Sequence, residues 1–285
     1  MPDVPKPFPR VWITGAGGLI GSWLMKTHPA DRLGGVAVGW TRALLDLTDF
    51  AAVRERFAVD RPAAVIHAAA LSKSPACQAD PVRARRDNVE VTRHLAELAA
   101  EVPFVFYSTD LVFDGRRGRY TERDAVNPLS VYAETKVEAE RIVLQHPRGL
   151  VLRTSLNAGV SPTGDRAFNE EMTLAWRAGR TLSLFEDEFR SPIPAEATAR
   201  VTWDLLAIGA TGVLHIAGSE RLSRLQIGRL LATRAVGYEP RIEANSLKSY
   251  TGAPRSPDTS LDSSLVEGLL GRRMPAFSEW IAAGR

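Results

Sequence analysis

Thr14-Gly15-Ala16-Gly17-Gly18-Leu19-Ile20-Gly21 decides the fold. The stretch sets glycines at 15, 18 and 21, between the apolar run Val11–Thr14 and a helical pattern that continues to about Thr27. A turn of this kind needs positive φ and lets bare backbone approach a pyrophosphate, whose charge then faces a helix N-terminus. A strand entering such a turn and leaving as a helix is the first βα unit of a nucleotide-binding sheet. The alternative is a packing turn with no ligand. No Gly-Lys-Ser/Thr follows, so the turn is not a P-loop.

Outward from the turn, apolar runs at Val36–Trp40, Ala64–His67, Phe104–Tyr107 and Leu150–Arg153 read as strands. Helical patterns at Asp49–Phe57, Pro81–Ala100 and Ser130–Gln145 separate them, an alternation that predicts βαβ units and a parallel sheet. After Arg153 the texture changes: loops lengthen and prolines cluster at Pro192, Pro194, Pro254 and Pro257. Val213–Ile216 still reads as a buried strand, preceded by a helix over Ala195–Ile208. The expected architecture is α/β, a doubly wound parallel sheet (Rossmann) over residues 1–155, with 193–218 returning to it. Residues 156–192 and 219–285 then form a smaller C-terminal substrate lobe.

Composition narrows the function. The 285 residues carry 36 basic and 33 acidic side chains, and a net charge of +3 is too dilute for a nucleic-acid partner. One cysteine, Cys77, excludes an internal disulfide and any cysteine-rich metal site. Met1–Arg10 holds four prolines and no apolar core, unlike a secretion signal. The longest uncharged run, Val11–Met25, is too short for a membrane span and is broken by four glycines. A cytoplasmic protein with no membrane partner is expected. The five histidines show no metal-ligand spacing, so no metal is expected, and no G-x-S-x-G elbow supports a serine hydrolase. Glu186-Asp187-Glu188 reads as a solvated acidic loop, and His67 as a structural histidine.

Chemistry enters at three places. The tip of the second strand reads Trp40-Thr41-Arg42, where NAD enzymes usually carry an acidic residue for the ribose hydroxyls. A hydroxyl and a guanidinium suit a 2′-phosphate instead, so NADP is favoured, with NAD as the alternative; a solvated surface arginine is the plainer reading of Arg42. Tyr132 and Lys136 lie four residues apart on one helix face, an ammonium beside a phenol, which brings the phenol toward working range as an acid–base group. A surface pair is the plainer alternative. Thr109 follows the fourth strand at the carboxyl edge of the sheet, where a hydroxyl meets a substrate carbonyl, or merely caps the strand end.

With these residues in place the chain resembles the extended short-chain dehydrogenases/reductases, and within them the dTDP-4-dehydrorhamnose reductases. The motifs run in order: Gly15–Gly21, Asp46-Leu47-Thr48-Asp49, Ala68-Ala69-Ala70, Asp87-Asn88-Val89 and Tyr107 to Gly115. Tyr120-Thr121-Glu122-Arg123-Asp124 and Asn127-Pro128 then lead to Tyr132 and Lys136. The match is dense over residues 10–155 and loose beyond.

The resemblance implies that Gly18, Leu19 and Ile20 contact the pyrophosphate, and Asp46 and Leu47 the adenine end. Ala68, Ala69, Ala70 and Tyr107 line the cofactor channel. Asn88 supports a water near the lysine, Lys136 holds the nicotinamide ribose, and Tyr132 donates the proton. Thr109 and Asp110 meet a nucleotide-linked sugar whose C4 ketone receives hydride. Family members are often dimers, so a homodimer is one expected assembly.

Two departures concern the substrate end. Leu156 stands where the family has a substrate-facing tryptophan, and Asp187-Glu188-Phe189-Arg190-Ser191-Pro192-Ile193 replaces an Asp-Gln pair followed by Gly-x-Pro-Thr. Arg190 suits a diphosphate or carboxylate of the substrate, or else orders its loop through Asp187 or Glu188. Two rival functions stay open. One is a non-catalytic NADP-binding regulatory subunit resembling that of methionine adenosyltransferase; the other is a nucleotide-sugar epimerase or dehydratase with tightly held NAD.

Overall fold

The computed structural model describes residues 8–252 and 255–284. Most of the proline-rich start, and Pro254, lie outside the described residues. Six strands form one parallel sheet: β1 (Arg10–Thr14), β2 (Val36–Trp40), β3 (Ala64–His67), β4 (Phe104–Thr109), β5 (Gly149–Thr154) and β6 (Gly212–Ile216), in the order β6-β5-β4-β3-β1-β2. Every residue of β3, β4 and β5 is buried, which explains why these strands read as continuous apolar runs. The chain leaves β1 for β2 on one side and returns to β3 on the other, pairing Thr14 with both Trp40 and His67. That reversal opens a crevice at the carboxyl ends of β1 and β3, where sheets of this kind bind ligands.

Helices cover both faces. On one, α1 (Leu19–Lys26) and the helix Ala195–Ala207 pack on Val11, Ile13, Ile66 and Leu152 through Leu24, Ala199 and Trp203. On the other, α2 (Phe50–Asp60), α3 (Val91–Leu98) and α4 (Val131–Leu144) pack on Trp12, Val65 and Phe106 through Val53, Leu95 and Val143. Beyond the sheet, a third core gathers Met172, Trp176, Leu184, Ile227 and Phe277. It joins the helix Phe168–Arg177 to α5 (Arg224–Ala232) and the parallel pair Thr181–Phe185 and Arg241–Asn245.

The helix expected over Pro81–Ala100 is interrupted. Pro81–Arg85 is α-helical, Arg86–Glu90 forms a π turn, and α3 follows. A π turn inserts one residue and rotates the helix face, and here Asp87, Asn88 and Val89 all turn inward. Apolar spacing is read at 3.6 residues per turn and is blind to such an insertion. The strand expected to end at Tyr107 runs on to Thr109.

A C-terminal strap stitches the two cores together at the crevice. Tyr120 N donates to Ser260 O (2.8 Å), Asp262 N to Tyr120 O (2.8 Å) and Asp258 N to Gly115 O (3.0 Å). No described helix is long and apolar enough to cross a membrane.

Candidate active site

The glycine turn is built by exclusion. Gly15 has φ +70°, and a Cβ there would lie 2.7 Å from Ala69 N; a Cβ on Gly21 would lie 2.2 Å from Gly15 O. Both approaches are to backbone, which cannot give way. Thr14 Oγ1 accepts from Ala69 N (3.2 Å) and meets His67 Nδ1 (2.6 Å), locking the turn to the Ala68–Ala70 loop. Burial, with the charge of Lys136 behind it, pushes His67 down to about 3, so this ring is neutral and structural. Gly18 caps α1 without a side chain, which leaves backbone N–H groups for an anion. Gly21→Ala is expected to abolish dinucleotide binding, seen as loss of NADPH fluorescence enhancement. Unchanged affinity would show that the turn is only a packing device.

At the tip of β2, Arg42 Nη2 lies 3.1 Å from Asp87 Oδ2 with its side chain 59% exposed. Arg83 Nε and Arg86 Nε each lie 3.5 Å from the same carboxylate, whose Oδ1 is buried without a hydrogen bond. Three guanidiniums therefore converge where one was foreseen. The π turn brings Asp87 and Arg86 there, and spacing alone could not show it. Asp46 accepts from Thr48 N and Oγ1, which holds its carboxyl low with help from Arg42 and Arg86. Leu47 and Thr41 are half-buried beside it.

The Tyr–Lys pair sits on α4. Ser130 caps this helix by accepting from Ala133 N (3.3 Å), so Tyr132 occupies its first turn, where the helix dipole favours a negative phenolate. Thr109 and Asp110 lie at the end of β4, facing it. Burial and the Asp110 charge push the Tyr132 phenol above its ordinary value, and a hydrogen bond to Thr109 opposes them. The sequence expectation was the reverse, a phenol pulled down by its lysine. Burial and the Asp110 charge outweigh the Thr109 hydrogen bond at the phenol, and burial separately lowers Lys136 to about 7 against the pull of Glu140. The Lys136 ammonium lies 3.9 Å from the Phe106 ring centroid.

Asn88 accepts from Leu71 N (2.8 Å) and donates to Leu71 O (3.2 Å) and Thr135 Oγ1 (3.0 Å). It thus ties the loop after Ala70 to the helix turn between Tyr132 and Lys136. Tyr107, which the resemblance assigns to the channel, turns its phenol into the core against Thr202.

Behind the pair lies a charge cluster that sequence reading missed. Glu140 binds Arg153 through two contacts, Nε–Oε1 at 3.0 Å and Nη2–Oε2 at 2.7 Å, and accepts from Ser108. Beneath Thr109, the Asp110 carboxylate accepts from Ser155 Oγ (2.8 Å) and Thr259 Oγ1 (3.0 Å), with Arg190 Nε at 3.7 Å. Arg190 is 5% exposed and spends its other donors on Phe189 O, Ser256 O and Glu188. Of the two roles read for Arg190, loop ordering through Glu188 is the one this geometry displays. Glu188 is itself 1% exposed, so the last member of the acidic run leaves the solvent, while Glu186 stays exposed and Asp187 half-buried. Two arginines within reach made the burial of Glu188 tolerable, and neither is adjacent in the chain. Leu156 is half-buried against the lobe core.

The comparisons with known proteins agree with this architecture. The family model described as the RmlD substrate binding domain matches residues 9–283. The probable low-salt glycan biosynthesis reductase Agl14 of Haloferax volcanii is 30% identical, over 95% of this chain and 96% of its own. A dTDP-4-dehydrorhamnose reductase of Streptomyces griseus is 35% identical, over 73% and 68%. The methionine adenosyltransferase 2 subunit beta of Xenopus laevis is 28% identical, over 96% and 86%. Among solved structures, the dTDP-4-dehydrorhamnose reductase of Bacillus anthracis in complex with NADP superposes with a TM-score of 0.87 at 22% identity, covering 97% of this chain and 98% of that one.

Proposed function

The chain belongs to the RmlD substrate binding domain family, and from that membership we propose that it is an NADP(H)-dependent reductase of a nucleotide-sugar 4-ketone. The observation that carries the reading is the hydrogen bond between Thr109 and Tyr132 at the crevice, one helical turn from Lys136, with the phenol raised by burial and so held in its proton-bearing form. A ketone reduction consumes one proton, and this is the donor in the right state.

Gly15, Gly18, Leu19, Ile20 and Gly21 would hold the pyrophosphate. Asp46 and Leu47 would hold the adenine end, Thr41 and Arg42 the 2′-phosphate, and the Ala68–Ala70 loop and Asn88 the channel wall. Bound there, NADPH supplies the hydride for C4. Tyr132 gives its proton to the C4 oxygen as that oxygen gains charge. The phenolate left behind is stabilised by the Lys136 ammonium and the N-terminus of α4. Thr109 orients the carbonyl, and Asp110 holds the end of β4 in place. Residues 156–192 and 219–285, with Leu156 in place of an aromatic wall, would receive the sugar nucleotide.

The reading is tested by NADPH oxidation with dTDP-4-keto-6-deoxy-L-mannose; saturable turnover supports it, and NADPH binding without turnover on any sugar-nucleotide ketone counts against it. The pH dependence adds a second test. Reduction needs Lys136 charged and Tyr132 protonated, so kcat/KM is expected to be full on the acid side and to fall as pH rises through about 7, the lowered Lys136 value. A profile flat through that region would contradict the role of Lys136. Arg42→Ala is expected to cut the preference for NADPH over NADH about tenfold, the worth of one charge-assisted contact; an unchanged ratio would remove Arg42 from the 2′-phosphate.

The similarity to methionine adenosyltransferase subunit beta favours one second reading, an NADP-binding regulatory subunit. It predicts a stoichiometric protein partner and no hydride transfer.

A further inference from the structure

Where the substrate lobe meets the end of β4, a cluster of five charges does not balance. Glu188 and Asp110 are its two carboxylates, with side chains 2% and 7% exposed. Three guanidiniums surround them. Arg190 bridges both, and Arg255 grips Glu188 with Nε–Oε2 at 2.7 Å and Nη2–Oε1 at 3.0 Å. The third, Arg224, is the first residue of α5 and feels the charges of Glu188, Arg190, Arg255 and Asp110. Its backbone N–H donates to Glu188 O (2.9 Å).

The Arg224 guanidinium itself makes no ion pair or hydrogen bond with any described residue. It lies over the Phe168 ring, with the centroid 5.8 Å away. Two negative charges are thus matched against three positive ones, and the surplus falls on the member without a partner. Partial desolvation lowers Arg224 to about 10, while the half-buried guanidinium stays open to an incoming group. A half-buried cation without a counter-ion costs stability unless an anion completes it. Arg190, for which the sequence left anion binding open beside loop ordering, is already engaged by protein oxygens.

We propose that Arg224 is the anion receptor of the substrate lobe, binding a phosphate of the substrate's nucleoside diphosphate from beside the Asp110–Arg190–Glu188 cluster. The inference rests on the nucleotide-sugar reading of the site and adds the residue that reads its charge. A guanidinium suits phosphate oxygens because its planar donors can bind two at once. The dipole of α5 adds to the pull on an anion at its first residue.

The test uses the full chain with NADP bound, titrated calorimetrically with dTDP and separately with thymidine, in wild type and Arg224→Gln. The wild type is expected to bind dTDP well above thymidine. Arg224→Gln should lose tenfold or more of the dTDP affinity, keep its thymidine affinity, and keep NADP binding and thermal midpoint. Arg224→Lys should recover part of the loss. Equal dTDP affinity in Arg224→Gln and wild type overturns the proposal, as does a wild type that does not prefer dTDP to thymidine. With the keto sugar as substrate, KM should rise while kcat holds. Absence of turnover with an Arg224-dependent dTDP affinity would defeat the reductase reading and leave the receptor standing.

Discussion

Replacing Tyr132 with phenylalanine lowers kcat by about 10²–10⁴, the usual worth of one positioned acid–base group, while NADPH affinity is unchanged. The substitution removes one oxygen. It leaves the Ser130 cap, the buried face of α4 and the Asn88–Thr135 tie in place. Loss of rate therefore reports the proton alone. Thr109 can orient a carbonyl but is a poor acid, and Asp110 is engaged by Ser155, Thr259 and Arg190. Stopped-flow absorbance of NADPH at saturating ketone separates the effect on chemistry from binding. Retention of more than about a tenth of wild-type kcat would place the proton elsewhere, since a general acid contributes more than that.

Glu140→Gln is expected to destabilise the fold by about 3–5 kcal/mol, the cost of leaving one partner of a buried ion pair alone. Arg153 and Glu140 have side chains 6% and 3% exposed, and Arg153 Nη1 is already buried without a hydrogen bond. Glutamine keeps the size and removes the charge, so the Arg153 guanidinium is left uncompensated between β5 and α4. The variant should also slow reduction, because the Glu140 charge supports the charged form of Lys136. Urea unfolding of Glu140→Gln, Arg153→Met and the double variant checks the argument. Additive losses in the double variant would deny the coupling; recovery of much of the single-variant loss is the expected result.

What could be read in advance divides along physical lines. The sheet was legible because β3, β4 and β5 are buried on both faces, so each opens with an apolar run and turns polar only toward its carboxyl end, at His67, Ser108–Thr109 and Arg153–Thr154. The glycine turn was legible because two backbone approaches tolerate nothing larger at Gly15 and Gly21. Tyr132 and Lys136 were legible because helical spacing alone brings them to one face. The π turn at Arg86–Glu90 was not, since it alters helix phase without altering residue type. The Glu188–Arg190 contact was within reach of the sequence, but the pairs Arg255–Glu188, Arg190–Asp110 and Arg153–Glu140 were hidden because each crosses between separate segments. A run such as Glu186-Asp187-Glu188 looks like surface until the arginines that bury its last member are brought to it. The direction of the Tyr132 shift differs from the sequence expectation because burial and Asp110 raise the phenol, an environment that helical spacing does not carry.

The most direct measurement is transfer from NADPH deuterated at the hydride-donating C4 position to dTDP-4-keto-6-deoxy-L-mannose, with the product weighed by mass spectrometry. The account predicts a reduced sugar nucleotide carrying one deuterium at sugar C4, formed in step with NADP⁺ and absent with Tyr132→Phe. Firm NADPH binding with no deuterium in any product would contradict it, and would assign the fold to a regulatory partner.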